Sequence, residues 1–456
     1  MRKSVLFLTL CVIFLIHFAV GFHLARQNAE FYYHNDGREY AQMAESFAAT
    51  GRMMIDQPRY YETPRTEPIP EAYRPPLLSC LAGSLIAAGF PPAAAYALLQ
   101  ALLFCLASWM VVRTAETIDP AAPTAWFALL LFNIHPLIFE YSVQFCSETL
   151  FIFWILCFIR IFLTQSSWRR ALLLAAAGFG MTLTRPTGLI FLPGGILLLL
   201  LLDALDSFLA AGTVRAVFRF RCFRNALLYG VCFTLLMLPF GIRNQVLFGK
   251  FSLSTFFGGY NFYVGNNREN WKAYAAGSGK EFLDHQNRGW REAIRLVNAL
   301  PESYAGKPPL QDSYMMGKAL EEIRAMGGWK FLGLLTAKGW QFICPWPVRG
   351  VHAPLLFWGF TLWEVFLYGC GAAGIGLCRK RWRVFVPFVF LFAGGFLAHT
   401  LTFVSMRYRI PFLDVGLIVF SAVALRALWE KSGIGGRFSA AGTRSILQKE
   451  EKGDRK

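Results

Sequence analysis

Asp36 stands in the stretch FYYHNDGREYAQMAES at 31–46, directly after an apolar run at 4–22. A carboxylate held beside a membrane surface can act as a general base on a hydroxyl group. If a helix starts there, Asp36, Tyr40, Met43, Ala44, Phe47 and Ala48 share one stripe, so the acid begins a surface that would rest on the bilayer. The same D-x-x-E, from Asp36 to Glu39, also reads as a capping box, and a cap is a rigid place to hold a catalytic carboxylate. Arg74-Pro75-Pro76 closes this loop, and its prolines hold Arg74 where the chain re-enters the membrane. Such an arginine either snorkels to headgroups or grips a phosphate with two parallel hydrogen bonds. Glu148 sits at the mouth of an almost wholly apolar stretch. An acid at that depth costs on the order of 2–3 kcal/mol, so it either faces a polar cavity or caps the span beside Ser147. Arg185 in LTRPTG, with Arg407 and Arg409 in SMRYRIP, adds arginine to the same face. Together with Arg74 they suggest a pocket for an anion. GGYNF and GNN within 258–267 suggest a flexible loop in which Asn266 could touch a phosphate or a sugar.

The elements that must position these residues are membrane spans. Of 456 residues, 55% are hydrophobic and 16% charged, the profile of an all-α polytopic membrane protein. A net charge of +17 would point to nucleic acid in a soluble chain. Here the basic residues bunch between apolar segments and no nucleic-acid motif accompanies them. The ten cysteines lie mostly in apolar stretches without a CxxC, which argues against a disulfide framework or a zinc site.

Spans are expected near 4–22, 93–112, 122–139, 148–163, 171–184, 187–205, 225–242, 354–377, 384–404 and 410–428. Arg2 and Lys3, Arg169 and Arg170, the cluster Arg215, Arg219, Arg221 and Arg224, the run RKRWR at 379–383 and the basic tail all fall on one side under the positive-inside rule. That holds only if the apolar stretches 76–90 and 331–346 stay on the outer face. The reading is therefore ten spans with both termini cytoplasmic and an uncleaved first segment. It divides the chain into a transmembrane module at 1–242 with a catalytic outer loop at 23–75, an outer loop region at 243–346, C-terminal spans at 347–430, and a basic tail at 431–456. Amphipathic helices are expected at 280–299 and 312–326, the second capped by Asp312 or Ser313. WKFLGLLTAKGWQF at 329–342 would lie flat over the lipid access with Lys338 near headgroups. No internal repeat or pair of broken helices favours a transporter.

The order and sidedness of these motifs resemble the GT-C glycosyltransferases, in particular glycosyltransferase family 39, which includes protein O-mannosyltransferases and lipid A aminoarabinose transferases. The likeness runs through D-G-x-x-Y-x-x-x-A (Asp36, Gly37, Tyr40, Ala44), R-P-P-L from Arg74, S-E-T-L at 147–150, L-T-R-P-T-G at 183–188, Arg243-Asn244, G-N-N at 265–267 and R-Y-R-I-P at 407–411. It implies a GT-C fold of about ten transmembrane helices with interfacial helices and a periplasmic loop region. Asp36 matches the family's catalytic acid, Glu148 a second acid that is often Asp, and Arg74 the residue on the donor phosphate. Tyr40, Arg185, Arg407, Arg409 and Asn266 fall to substrate binding. Where relatives often carry a second acid directly after the first, this chain has Gly37. The implied reaction is inverting transfer of a sugar from a polyprenyl-phosphate donor to a hydroxyl of an envelope acceptor, whether glycolipid, protein or polymer. It would occur on the outer face of a bacterial inner membrane. Cofactor use stays open, because relatives differ over a divalent metal, which Asp36 and Glu148 would hold. Rival readings are a lipid-linked sugar transporter or flippase, an inactive scaffold, and an oligosaccharide ligase with a diphosphate donor.

Overall fold

A computed structural model describes residues 3–33, 36–56, 67–211, 220–349 and 353–432. Arg215, Arg219 and all but the first two residues of the basic tail lie outside the described residues. Helices dominate, and the strands among the described residues are a two-residue antiparallel pair, Met54–Ile55 with Ile69–Pro70, inside the first loop.

Among the described residues, seven helices are long and apolar enough to cross a bilayer: Ser4–Gln27, Pro92–Ile118, Pro186–Leu205, Phe223–Phe248, Pro354–Cys378, Trp382–Leu401 and Met406–Lys431. The segment expected at 122–139 is a bent pair, Ala122–Ile134 and Pro136–Val143, turned by 63°. Pro136 explains the break, since it pushes His135 out of helical geometry to ψ 117. The remaining two expected spans are Glu148–Thr164 and Ser167–Thr184, with 17 and 18 residues. Leu77–Ala87 has 11 residues and Gly328–Ile343 has 16, so they reach only about 16 and 24 Å against a hydrocarbon core of about 30 Å. Neither crosses.

Three local expectations are corrected. The stripe of Asp36, Tyr40, Met43 and Ala44 rests on Leu77–Ala87 rather than on lipid, and Tyr40, Met43 and Ala44 are buried. The helix expected from 312 begins four residues earlier, at Pro308, because prolines fit the unbonded first turn. Its Asp312 accepts the Gly259 N–H at 2.7 Å instead of capping its own helix. The 258–267 segment is a helix, Gly258–Asn266, rather than a flexible loop. Gly265 serves contact there: a Cβ would lie 1.6 Å from the Thr402 carbonyl oxygen.

The two ends of the bundle differ in chemistry. At one end, Arg426 pairs with Asp119 at 2.9 Å, Arg381 donates to the Ile118 carbonyl, Arg170 pairs with Asp203 and Arg160 donates to the Arg113 carbonyl. These contacts form a collar of arginines around helix termini. At the other end, the first loop, the 144–148 connection, the turn at Arg185 and residues 402–408 converge on one cavity.

Candidate active site

Asp36 immediately precedes the helix Gly37–Thr50 and makes no side-chain cap hydrogen bond. Its oxygens face two guanidiniums instead: Oδ1 lies 3.0 Å from Arg74 Nη2, and Oδ2 accepts from Arg407 Nη2 at 2.9 Å. A Cβ on Gly37 would lie 2.7 Å from the Phe145 carbonyl oxygen. The close approach that brings Asp36 to the 144–148 connection therefore leaves no room for the second acid common in the resembling family.

Arg74 is held at both its backbone and its side chain. Glu71 accepts the backbone N–H groups of Tyr73 and Arg74, and Glu39 accepts from Arg74 Nε. The guanidinium lies over the Phe257 ring, 5.3 Å from its centroid. Burial, then the nearby Glu39, pushes the Glu71 carboxyl up to about 7. Glu148 is 1% exposed and pairs with Arg185 Nη1 at 2.9 Å and Arg407 Nε at 3.0 Å. Arg407 thus bridges the two acids, using Nη2 for Asp36 and Nε for Glu148. Arg185 stacks over Tyr408, 4.9 Å from the ring centroid.

These groups enclose a cavity of about 290 Å³ whose walls include Asp36, Tyr40, Arg74, Arg185 and Arg407. Tyr73, Phe257, Trp290, Phe403 and Tyr408 supply aromatic surface, and Asn261 and Thr402 supply polar atoms. One carboxylate among three guanidiniums and aromatic rings can hold a phosphate, stack a sugar ring and take a proton. Glu148 stands behind this wall rather than in it, and it orients two of the three arginines.

Two residues expected here lie elsewhere. Arg409 is fully buried, pairing with Glu364 at 2.8 Å and Asp414 at 3.2 Å while donating to the Cys344 carbonyl. Two steps along a helix turn a side chain by about 200°, so Arg407 and Arg409 point opposite ways. Asn266 is also buried: its Nδ2 donates to the Phe262 and Leu401 carbonyls, and its Oδ1 accepts from Lys338 Nζ at 2.8 Å. Lys338, expected among headgroups, is 0% exposed and also donates to the Gly265 and Thr402 carbonyls. Of the residues that the sequence reading passed over, Glu39 had a signal as the last residue of D-x-x-E. Asn261 had one in the GGYNF stretch, whereas Trp290 and Phe257 had none, because only folding brings the 243–346 region over Asp36.

A metal bridging Asp36 and Glu148 does not fit, because the Arg407 guanidinium occupies the space between them. A second cluster, His135, Glu364 and Asp414, has ligand-type atoms within 4.8 Å of one another. Its residue types suit a metal, but Arg409 already pairs with both acids. Nδ1 of His135 accepts the Ile138 N–H at 3.3 Å, so the neutral ring carries its proton on Nε2. That Nε2 faces Glu364 and Asp414, each at 3.7 Å.

No family model matches the chain, and no curated protein does. Solved structures do. The archaeal oligosaccharyltransferase AglB from Archaeoglobus fulgidus, in complex with an inhibitory peptide and a dolichol-phosphate, superposes with a TM-score of 0.52 at 14% identity, over 95% of this chain and 52% of that one. The A. fulgidus oligosaccharyltransferase tethered to an acceptor peptide gives 0.50 at 15% identity, over 95% and 50%. ArnT from Cupriavidus metallidurans bound to undecaprenyl phosphate gives 0.37 at 17% identity, over 94% and 79%. This chain therefore spans about half the length of the oligosaccharyltransferase structures that it resembles.

Proposed function

We propose that this protein, whose fold is that of the GT-C membrane glycosyltransferases, transfers a sugar from a polyprenyl-phosphate carrier to an acceptor hydroxyl at the outer face of a bacterial inner membrane. The observation that carries the reading is Asp36 itself. It is a carboxylate gripped by Arg74 and Arg407 in an aromatic-lined cavity, at the end of the bundle opposite the arginine collar. That collar supports a cytoplasmic assignment for its end, and hence an outer position for the cavity.

In the reaction, the acceptor oxygen attacks the anomeric carbon and the C1–O bond to phosphate breaks. The bonding pair leaves with the polyprenyl phosphate, and the acceptor proton passes to Asp36 and then to water. One displacement inverts the anomeric centre. Arg74, Arg185 and Arg407 stabilise the charge that grows on the departing phosphate. At rest, both carboxylate oxygens of Asp36 are engaged by guanidiniums. A donor phosphate that competes for Arg74 and Arg407 loosens them from Asp36 and frees a carboxylate oxygen to take the acceptor proton.

A route for the carrier's tail supports the reading. The span Pro186–Leu205 starts with Pro186 and Thr187 in the cavity wall. Further along, Leu192, Ile196 and Leu200 share one face of it and line an apolar groove against the helix Phe220–Phe248. The dolichol-phosphate held by AglB supports lipid phosphates as ligands of this fold. Against the transporter reading, the buried charges of Arg409, Glu364 and Asp414 are closed on one another and line neither of the cavities beside Arg407.

The test incubates purified protein with radiolabelled polyprenyl-phosphate sugars and membrane extract. Wild type should transfer label, and Asp36→Asn should lose about 10²–10⁴-fold in rate while still binding donor. Transfer by Asp36→Asn at the wild-type rate would overturn the mechanism.

A further inference from the structure

Arg407 lines two cavities. Besides the one described, a second of about 610 Å³ lies across the segment Phe403 to Arg407, and Phe403, Ser405 and Arg407 face both. We infer that the second cavity receives the acceptor, and that the acceptor is a membrane lipid with a hydroxyl-bearing headgroup. This rests on the transfer reading above and adds to it the class of the second substrate.

Reaction geometry gives the first argument. In an inverting displacement, the nucleophile and the leaving group lie on opposite sides of the anomeric carbon. Two cavities meeting at Arg407 provide two such sides, with Asp36 in the wall of the first and paired to that arginine. Charge assigns them. Arg74 and Arg185 line only the first cavity, which suits the phosphate. The second has Glu140, Tyr141, Gln286 and Gln341 as its other polar groups from helices, all able to bond hydroxyls, and the Glu140 carboxylate would repel a further anion.

The apolar wall makes the ligand a lipid. Leu137, Val348, Leu356 and Phe360 line the second cavity. Leu356 belongs to the span Pro354–Cys378, whose neighbouring Leu355 and Trp358 are 85% and 56% exposed. In a span, apolar side chains exposed to that degree face acyl chains, so the cavity wall continues onto the bilayer surface. A hydrophilic peptide or a soluble polymer would meet that wall with unpaired polar groups.

Two measurements on the full-length protein test this. In the first, radiolabelled polyprenyl-phosphate sugar is given with total membrane lipid, with delipidated membrane protein, or with soluble envelope polymer. Label should enter an organic-phase product with lipid alone, and Val348→Trp should raise the apparent KM for the lipid fraction about tenfold while the donor KM moves less than about twofold. Label in protein or polymer would overturn the lipid assignment while leaving glycosyl transfer intact. Loss of donor affinity in Val348→Trp would overturn the assignment of the cavity. In the second, Leu356→p-benzoylphenylalanine is photolysed in native membranes, in the wild-type and in the Asp36→Asn background. Capture of a lipid in both is expected, and capture of protein, or of nothing, would overturn the proposal. Absence of both transfer and donor breakdown in the first measurement, beside lipid capture in the second, would sink the transfer reading and the acceptor role with it.

Discussion

Arg407 touches both acids of the site, and it does so through different nitrogens of one planar group. A lysine ammonium is a point charge and cannot span Asp36 and Glu148 together. Arg407→Lys should therefore lower kcat/KM about 10²–10³-fold, measured in the radiolabel assay. Glu148 balances Arg185 and Arg407 from a fully buried position, so Glu148→Gln should cost about 3–5 kcal/mol by leaving buried charge uncompensated. A thermal midpoint in detergent unchanged from wild type would refute that. Glu71 carries a pH prediction. Its folded value, raised to about 7, lies above the ordinary carboxylate value of 4.5, so the folded chain keeps a proton that the unfolded chain has lost. Its contribution to stability is thus full below pH 4.5 and falls as pH rises through 7. Glu71→Gln should flatten the dependence of thermal midpoint on pH between about 4.5 and 7. Asp36 and Arg74 were legible as residue types beside a span. That Glu71 and Glu39 hold Arg74 was not, because those bonds depend on the loop's closure.

Helix breaks do the positioning. Pro136 bends one span and leaves His135 buried against Glu364 and Asp414, while the π-helix Ile410–Asp414 follows directly on the turn that carries Arg407. Arg409 joins this turn to the Pro354–Cys378 span and to the Cys344 carbonyl, so it buttresses the segment dividing the two cavities. Arg409→Met should destabilise by about 3–5 kcal/mol, because two buried carboxylates lose their cation. The check is a double variant, Arg409→Met with Glu364→Gln, which should recover part of that loss in a thermal melt. A double variant no more stable than the single one would refute the pairing. From sequence, Arg407 and Arg409 read as equivalent, and only helical geometry separates the arginine that lines both cavities from the one closed on Glu364 and Asp414.

Across the whole molecule, sidedness decides whether the site can meet lipid-linked substrates outside the cell. Glu281 is exposed on the helix Gly279–Asn298 near the cavity end, and Lys380 is exposed beside Arg381 at the collar. In a cysteine-free background, Glu281→Cys should react with an impermeant thiol reagent added to intact cells, and Lys380→Cys should react only after lysis. The reverse pattern would turn the molecule over and exclude an outer site.

Apolar run lengths, prolines and the placing of basic residues were enough to locate, among the described residues, the seven helices long and apolar enough to cross a bilayer and the acid that follows the first of them. Those features are local, and they respond to the bilayer as a solvent. The meeting of Asp36 with Arg407, 371 residues apart, belongs to tertiary structure. So do the burial of Lys338 and Asn266 and the division of one outer face into two cavities. Long-range packing decides which polar groups a buried charge finds as partners, and no spacing along a chain encodes that.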